Sequence, residues 1–300
     1  MESDFIKPRR PWLAGLLGLF GGIVGQIYAG HLKRAIVILI VCTMIYPLGI
    51  FLLIKFPFFG RLPTFAFILI IVSTPLLVAA DAYLLARRDC FEPIQPYQRW
   101  WVYLLAFLVA GIIGNANAYL VHSYVTEAFM IPHNAMAPAV QRYDRILVDK
   151  FLFDASQLER NDLVMYQTSD PDPQNLLTHV MGLPGETVEI REEKLLINGK
   201  PVPDKFADFI DTDQPLMPEL TNHGPVTIPA GSFFTLGDNR RNAIDSRMRG
   251  PVPAEQFQGF ARLVYWSNDS RISKSRPYGI PETERGDIRW NRIGKRLDQN

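Results

Sequence analysis

Long apolar runs fill the first 121 residues of the chain, and polar, turn-rich sequence follows them. Three of these runs, at residues 35–54, 64–86 and 101–121, reach the roughly 20 residues that a helix needs to cross the apolar part of a bilayer. This division predicts a membrane module over residues 1–121. A separate water-soluble domain follows, and it is long enough to bury its own core.

A fourth apolar stretch, residues 11–30, fits either a fourth span or a re-entrant segment, because its repeated glycines let helices pack closely but weaken a single helix. If it spans, the flanking basic residues divide evenly between the two sides. If it turns back, one side holds Lys7, Arg9, Arg10, Lys33, Arg34, Arg87, Arg88 and Arg99, and the other holds Lys55 and Arg61. Cytoplasmic loops collect Lys and Arg. We therefore prefer the re-entrant arrangement in a cytoplasmic (inner) membrane, with the C-terminal domain on the extracytoplasmic side.

Residues 122–268 read as β-structure, since short apolar or alternating runs are separated by Gly and Pro turn signals. The predicted strands are 145–150, 162–167, 187–190, 194–198, 226–228, 232–236 and 261–266. Residues 269–300 form a polar tail that we expect to be loosely held, with Trp290 and Ile293 as candidate anchors. The predicted fold class is a multi-pass α-helical membrane module followed by a mainly antiparallel β domain.

Composition adds little to this picture. A formal net charge of +1 gives no argument for a nucleic-acid partner. Cys42 and Cys90 both lie in the membrane half, so the second half has no cysteine for a disulfide or a zinc site. We predict no metal and no cofactor, and membrane lipid as the surroundings of the first half. The oligomeric state is left open.

Three segments of the second half carry a more specific signal. Residues 129–138 read FMIPHNAMAP, residues 178–186 read THVMGLPGE, and residues 237–247 read GDNRRNAIDSR. In order and spacing they resemble the three conserved segments of the type I signal peptidase (leader peptidase) family, serine peptidases of family S26. The resemblance covers roughly residues 120–268 and implies an extracytoplasmic domain that handles the signal peptides of exported precursors.

The resemblance also locates four departures from the family's chemistry. It places the serine nucleophile at Ala135 and the lysine base at Thr178. The serine that supports the lysine maps to Ala243, and the serine that helps hold the oxyanion maps to His133. A serine attacks a peptide bond only when a neighbouring base takes its proton, and neither alanine nor threonine supplies these functions.

We therefore expect a catalytically inactive member that binds exported peptides, signal peptides or an assembly partner. The alternatives are an active type I signal peptidase that uses non-standard residues, and a membrane subunit whose outer domain has only a packing role. Another catalytic set, built on His133 and His179 with Asp144, Asp245 or Thr178, is disfavoured because no serine or cysteine accompanies the histidines.

The resemblance implies two further groups of residues. The expected apolar peptide-binding wall, whose alternative role is simply core, comprises Phe129, Ile131, Pro132, Met136, Val140, Leu176 and Leu177. The expected structural residues are Gly182, Leu183, Pro184 and Gly185 in one turn, and Gly237, Asp238, Asn239, Arg240, Asp245, Ser246 and Arg247 in a polar corner. Residues 129–132 are further expected to be an edge strand that can pair with an extended peptide.

Overall fold

The computed structural model describes residues 8–55, 62–151, 153–210, 218–269 and 286–297. The chain divides into two compact units, residues 1–123 and 124–300. Lys7 and Arg61, two of the basic residues used to predict orientation, lie outside the described residues.

The first unit begins with a helical hairpin. Helix α1 (Pro11–Gly21) is 11 residues long, roughly 16 Å at 1.5 Å per residue, which is about half of the apolar thickness of a bilayer. Gly22 has a positive φ of 56° and ends α1, and α2 (Val24–Tyr28) packs back against it. A Cβ atom on Gly25 would lie 2.5 Å from the Ala14 carbonyl oxygen, so this close packing requires glycine.

The two ends of the hairpin lie side by side. The backbone N–H of Arg10 donates to the Tyr28 hydroxyl at 3.1 Å, and the Arg9 guanidinium lies against the backbone of Gly30. Arg9 also donates to the Asp89 carbonyl oxygen at 2.7 Å. Residues 9 and 31 therefore lie at the same end of the unit, and the stretch between them folds back on itself as a helical hairpin.

Three long apolar helices complete the unit: α3 (Leu32–Lys55), α4 (Leu62–Arg88) and α5 (Trp100–Tyr124). Each is long and apolar enough to cross a membrane. Asp81 of α4 pairs with Arg34 of α3 and accepts a hydrogen bond from the buried Gln26 at 3.3 Å. Asp81, an acidic residue within an apolar helix, is thus held by polar partners from two neighbouring helices.

The second unit contains two antiparallel sheets. The strands of the described residues are β1 (Thr126–Met130), β2 (Asp144–Asp149), β3 (Leu163–Gln167), β4 (Asn175–Gly182), β5 (Thr187–Arg191), β6 (Lys194–Ile197), β7 (Lys200–Pro201), β8 (His223–Thr227), β9 (Ser232–Leu236), β10 (Val252–Pro253), β11 (Phe257–Ser267) and β12 (Lys295–Arg296). One sheet has the order β1-β2-β11-β3-β4-β9-β10, with β12 also paired to β11, and the other has the order β7-β6-β5-β8. Two short helices, α6 (Pro218–Thr221) and α7 (Ser246–Arg249), follow β7 and β9. This architecture confirms the predicted fold class.

Seven predicted strands correspond to β2, β3, β5, β6, β8, β9 and β11, with ends that differ by a few residues. The strand prediction omitted β4, although this strand lies in the interior of the large sheet. Its sequence NLLTHVMG interrupts the apolar residues with Thr178 and His179, and both of these side chains are buried. Tertiary burial of polar side chains hides the alternating pattern that reveals most strands.

The C-terminal segment is more firmly held than the sequence indicates, at least over residues 286–297. Strand β12 pairs with β11, and Ile293 is only 1% exposed, so this candidate anchor is buried. Trp290 is 59% exposed, although its ring packs edge-on against Trp266 at 6.4 Å. The expectation of a loosely held tail is wrong for these residues. The strand pairing and apolar contacts that hold them join segments far apart in sequence, which local patterns do not reveal.

Candidate functional site

The position that the resemblance assigns to the nucleophile lies in the loop between β1 and β2. Backbone hydrogen bonds from Ile131 N to Asp144 O (2.9 Å) and from Tyr143 N to Ile131 O (2.7 Å) close this loop at its base. Ala135, near the middle, is partly buried, and its carbonyl oxygen accepts a hydrogen bond from Asn239 N at 3.0 Å. The first and third sequence segments are therefore in direct contact.

Strand β4 brings the second segment to the same place. His179 of β4 pairs with Leu236 of β9, so the antiparallel register places Thr178 level with Gly237, the residue after Leu236. Thr178 is 2% exposed, and its hydroxyl has no hydrogen-bond partner within the described chain. A buried and unpartnered hydroxyl is a feature with an energetic cost.

Gly237 is the point where the assigned positions meet. A Cβ atom on Gly237 would lie 2.4 Å from the Ala243 Cβ atom and 3.0 Å from the Ala135 carbonyl oxygen. The close approach therefore needs glycine at 237 and a small side chain at 243. The structure brings Ala135, Thr178 and Ala243 into one neighbourhood, whereas His133 is exposed on the loop.

The buried His179 ring contacts a backbone carbonyl, an aromatic ring and a carboxyl group. Its Nδ1 atom lies 2.9 Å from the Asn161 carbonyl oxygen, and its ring stacks on Phe206 with centroids 3.7 Å apart. Nε2 lies 3.4 Å from Oδ1 of Asp238. Burial lowers the pKa of His179 to about 4, and burial raises the pKa of Asp238 to about 8. At neutral pH the imidazole is therefore uncharged and the Asp238 carboxyl keeps its proton.

The polar corner predicted from the third segment is a dense hydrogen-bonded structure. Arg247 donates to both carboxylate oxygens of Asp245, at 2.9 and 2.8 Å, and to the carbonyl oxygens of Leu220 and Arg240. Asp245 also accepts a hydrogen bond from Gly237 N at 3.0 Å. The pair therefore fixes the backbone at Gly237, next to the assigned catalytic positions.

Other residues of the segment complete this corner. The Ser246 hydroxyl accepts from Thr235 N at 2.9 Å. Arg240 donates to the Gly237 carbonyl oxygen at 2.9 Å and forms an ion pair with Asp204. Buried charges of this kind are tolerated only when they are paired and hydrogen-bonded, and the geometry gives these side chains a structural role.

The turn after β4 requires glycine at two positions, Gly182 and Gly185. Gly182 has no room for a side chain, because a Cβ atom there would lie 2.5 Å from Ile228 and 2.7 Å from Val188. Gly185 has a positive φ of 83°. Glu186 accepts from Leu183 N at 2.7 Å and pairs with Arg160, so the turn is tied to the loop before β3.

The expected peptide-binding wall is divided by the fold. One buried cluster contains Ile131, Met136, Val140 and Leu177, with Phe129 packed against it. Leu176 points to the other face of β4 and packs against a different cluster, and Pro132 is exposed. Met136 and Val140 are at most 1% exposed, so these two side chains serve the core.

The site also contains groups that sequence reasoning did not assign to it. Asp204 binds Arg240, and three cations of the C-terminal segment reach the loop that carries Ala135. Lys295 donates to the Ala139 carbonyl oxygen at 2.9 Å, and burial lowers its pKa. Arg289 and Arg292 bind Asp144. No sequence motif indicated these contacts, because Asp204 and Arg240 are 36 positions apart and the contacts of the C-terminal segment join residues about 150 positions apart.

Comparison with known proteins identifies the family to which the second half of the chain is similar. The family model described as signal peptidase, peptidase S26, matches residues 100–266. Signal peptidase I of Leptolyngbya laminosa is 31% identical over 153 residues, which cover 49% of this chain and 71% of that protein. Signal peptidase I of Bacillus amyloliquefaciens is 31% identical over 169 residues, covering 55% and 87%. A solved signal peptidase I from Enterococcus faecalis is 29% identical and covers 35% of this chain and 96% of its own, with a TM-score of 0.29.

The family match covers more than half of the chain, from the apolar helix α5 through the β domain, and it defines a member of a peptidase family whose first half carries helices long and apolar enough to cross a membrane. The chain belongs to the type I signal peptidase family, peptidase S26. The match starts at residue 100, where α5 begins, so the hairpin and the helices α3 and α4 precede it.

Proposed function

We propose that this chain is a signal-peptidase-like membrane protein that binds extended exported peptides and does not cleave them. The observation that carries this proposal is the convergence of Ala135, Thr178 and Ala243 around Gly237. Where the family's mechanism needs a hydroxyl nucleophile, an amine base and a supporting hydroxyl, this neighbourhood offers two methyl groups and a buried threonine.

The chemistry of these groups supports inactivity. An alanine methyl group at position 135 cannot attack a carbonyl carbon. A threonine hydroxyl is a far weaker base than the neutral lysine amine that the mechanism requires. His179 is a poor replacement, because its Nδ1 is bonded to Asn161 and its Nε2 faces Asp238. His133 is on the exposed loop surface, without a serine or cysteine beside it in the sequence.

A peptide-binding role is supported by the position of β1. This strand is the first of the large sheet, and its pairing within the described residues is with β2 alone. An edge strand presents main-chain donors and acceptors that can pair with an extended peptide. Ala128 and Met130 are exposed on it, and Met130 is 54% exposed, so incoming side chains would meet small and flexible apolar groups.

The proposed orientation follows from the helical hairpin. If α3, α4 and α5 all cross the bilayer, the hairpin ends and the loop before Trp100 share one side, and the β domain lies on the other. Arg9, Arg10, Lys33, Arg34, Arg87, Arg88 and Arg99 then collect at the first of these sides. Because cytoplasmic loops collect Lys and Arg, this charge bias supports a cytoplasmic location for that side. The β domain would then face the extracytoplasmic space of an inner membrane.

Two assays on the purified protein in detergent test the proposal. The first incubates it with a precursor that carries an Ala-x-Ala cleavage site, beside an active signal peptidase I, and follows the products by mass spectrometry. We expect no cleavage by this chain. Cleavage that His179→Ala or His133→Ala abolishes would instead establish an active enzyme with non-standard residues.

The second assay tests binding with a photo-crosslinking residue at position 130 and a control at Thr227, which is exposed on the β8 strand of the other sheet. We expect adducts with the precursor at position 130 and few at position 227. Equal or absent crosslinking at the two positions would favour a purely structural role for the domain.

Restoring the dyad tests separately the residues at the dyad positions, 135 and 178, and those at the supporting positions, 133 and 243. The double variant Ala135→Ser/Thr178→Lys should remain about 100-fold or more below an active family member, because one missing oxyanion donor alone costs a factor of about 10²–10³ in turnover. Adding His133→Ser and Ala243→Ser should raise the activity. Full activity of the double variant would show that the residues at 133 and 243 are not needed.

A further inference from the structure

We propose that the C-terminal segment, residues 286–297, is a clasp that sets the shape of the loop carrying Ala135, and that Arg292 acts through Asp144 as its main positioning residue. That this loop borders a peptide-binding surface rests on the proposed function. The clasp itself rests on contacts within the second unit alone.

Asp144 is the centre of the clasp. Its side chain is completely buried at the end of the loop, where β2 begins. Arg292 Nε lies 3.0 Å from both carboxylate oxygens, and Nη2 lies 2.5 Å from Oδ2. Ser267 Oγ donates to Oδ1 at 2.7 Å, and Arg289 Nη2 lies 3.2 Å from the same oxygen. A buried carboxylate with this many donors is held in one geometry.

The same cations reach the interior of the loop. Arg292 Nη2 and Lys295 Nζ both donate to the Ala139 carbonyl oxygen at 2.9 Å. Arg289 donates to Gln141 Oε1 at 2.8 Å and to the Arg142 carbonyl oxygen at 2.6 Å. Asp144 in turn accepts from Gln141 N at 2.9 Å. The loop backbone from residue 139 to 144 is therefore bonded to the C-terminal segment at several points.

The segment is itself anchored on the sheet, so it can serve as a fixed support. Strand β12 pairs with Leu263 and Val264 of β11, and Gly294 N donates to the Val264 carbonyl oxygen at 2.8 Å. Leu297 is 3% exposed and belongs to the same buried cluster as Met136 and Val140 of the loop. Apolar packing and charged hydrogen bonds thus join the same two segments.

The other side of the loop is held by the third sequence segment, through the hydrogen bond from Asn239 N to the Ala135 carbonyl oxygen. The loop is therefore held by the third segment at Ala135 and by the clasp from Ala139 onwards. Loss of the clasp should free residues 136–143 while the contact at Ala135 remains, which makes the effect local rather than global.

Hydrogen–deuterium exchange of the full-length protein in detergent tests the clasp. In Arg292→Met we expect exchange of residues 136–143 to rise about tenfold. Exchange of strands β5 and β6, residues 187–197, should stay within about twofold, since local openings differ across a structure. Arg292→Lys should lie between wild type and Arg292→Met, because an ammonium replaces only part of the planar donor set. Arg249→Met, which removes a guanidinium paired with the partly exposed Asp170, is the matched control and should change neither region.

If Arg292→Met does not fold because Asp144 is left buried with too few partners, the double variant Asp144→Asn/Arg292→Met removes both charges and allows the same measurement. Unchanged exchange at residues 136–143, or an equal rise at residues 187–197, would overturn the clasp. Crosslinking at position 130 is measured in parallel and should fall several-fold in Arg292→Met. If the wild type gives no crosslinks, the peptide-binding proposal fails while the exchange result still decides the clasp.

Discussion

The carboxylate of Asp245 and the guanidinium of Arg247 form a bidentate ion pair, at 2.9 and 2.8 Å, with both side chains at most 1% exposed. Two residues apart in sequence, they reach from α7 to the backbone of Gly237 and to the carbonyl oxygens of Leu220 and Arg240. In this chain the pair holds together a corner that lies next to Ala135 and Ala243.

Arg247→Met should therefore destabilise the β domain strongly. The substitution leaves the Asp245 carboxylate buried with too few partners, and breaking a buried pair in this way costs about 3–5 kcal/mol. Thermal unfolding in detergent measures the loss. Arg249→Met is the control, because its pair with Asp170 is partly exposed and should contribute less than about 1 kcal/mol. Similar losses in the two variants would contradict a special role for the buried pair.

Gly237→Ala should also destabilise the domain, by about 1–3 kcal/mol, because the added methyl group would lie 2.4 Å from the Ala243 Cβ atom. Gly237→Ala/Ala243→Gly removes that atom and should recover part of the loss. Chemical denaturation of the single and double variants gives the comparison. Additive effects of the two substitutions would mean that the predicted contact between positions 237 and 243 is unimportant.

Asp238 should make the domain less stable as the pH rises from about 4 to about 8, and the decline should be clearest above about pH 6.5, where His179 no longer offsets it. Burial raises the pKa of this carboxyl from 3.8 to about 8, so the folded chain keeps a proton there that the unfolded chain has released. Stability linked to such a group is lost as the pH rises towards the folded pKa, at up to about 1.4 kcal/mol per pH unit. Asp238→Asn should flatten this decline, and Asp170→Asn should not. Parallel pH profiles for wild type and Asp238→Asn would exclude this effect.

Below pH 6.5 the buried His179 should act in the opposite direction. Its pKa falls from 6.5 to about 4 on burial, so the unfolded chain binds a proton that the folded chain does not. Stability from this group is lost as the pH falls from about 6.5 to 4. A scan of unfolding temperature against pH should show His179→Gln with a smaller acid loss than wild type, and a steeper loss in the variant would contradict the assignment.

Cysteine labelling in intact cells or spheroplasts should show the hairpin ends and the loop before Trp100 on one side of the membrane. With Cys42 and Cys90 replaced by Ala, Arg10→Cys and Arg99→Cys should both resist an impermeant reagent that reaches Asp170→Cys from outside. Opposite labelling of Arg10→Cys and Arg99→Cys would show that residues 11–30 cross the membrane, against the contact between Arg10 and Tyr28.

Much of this architecture could be predicted from local patterns. The apolar runs locate α3, α4 and α5, because length and hydropathy are properties of a contiguous segment. Alternation located most of the strands, and the glycines at 182 and 185 indicated a turn that the structure builds around them. The three motifs identified the family, and the residues at 135 and 178 could be read directly from the sequence.

Contacts between distant segments required the tertiary structure. The sequence left residues 11–30 as a fourth span or a re-entrant segment, and only the structure shows the hairpin in which Arg10 lies beside Tyr28. The expected apolar wall became mostly core once Met136 and Val140 were packed against Leu297. The sequence of the polar tail likewise did not reveal that Arg292 would bind Asp144, 148 positions away. Periodicity and motifs report what neighbouring residues prefer, whereas burial and the pairing of charges depend on which segments the fold brings together.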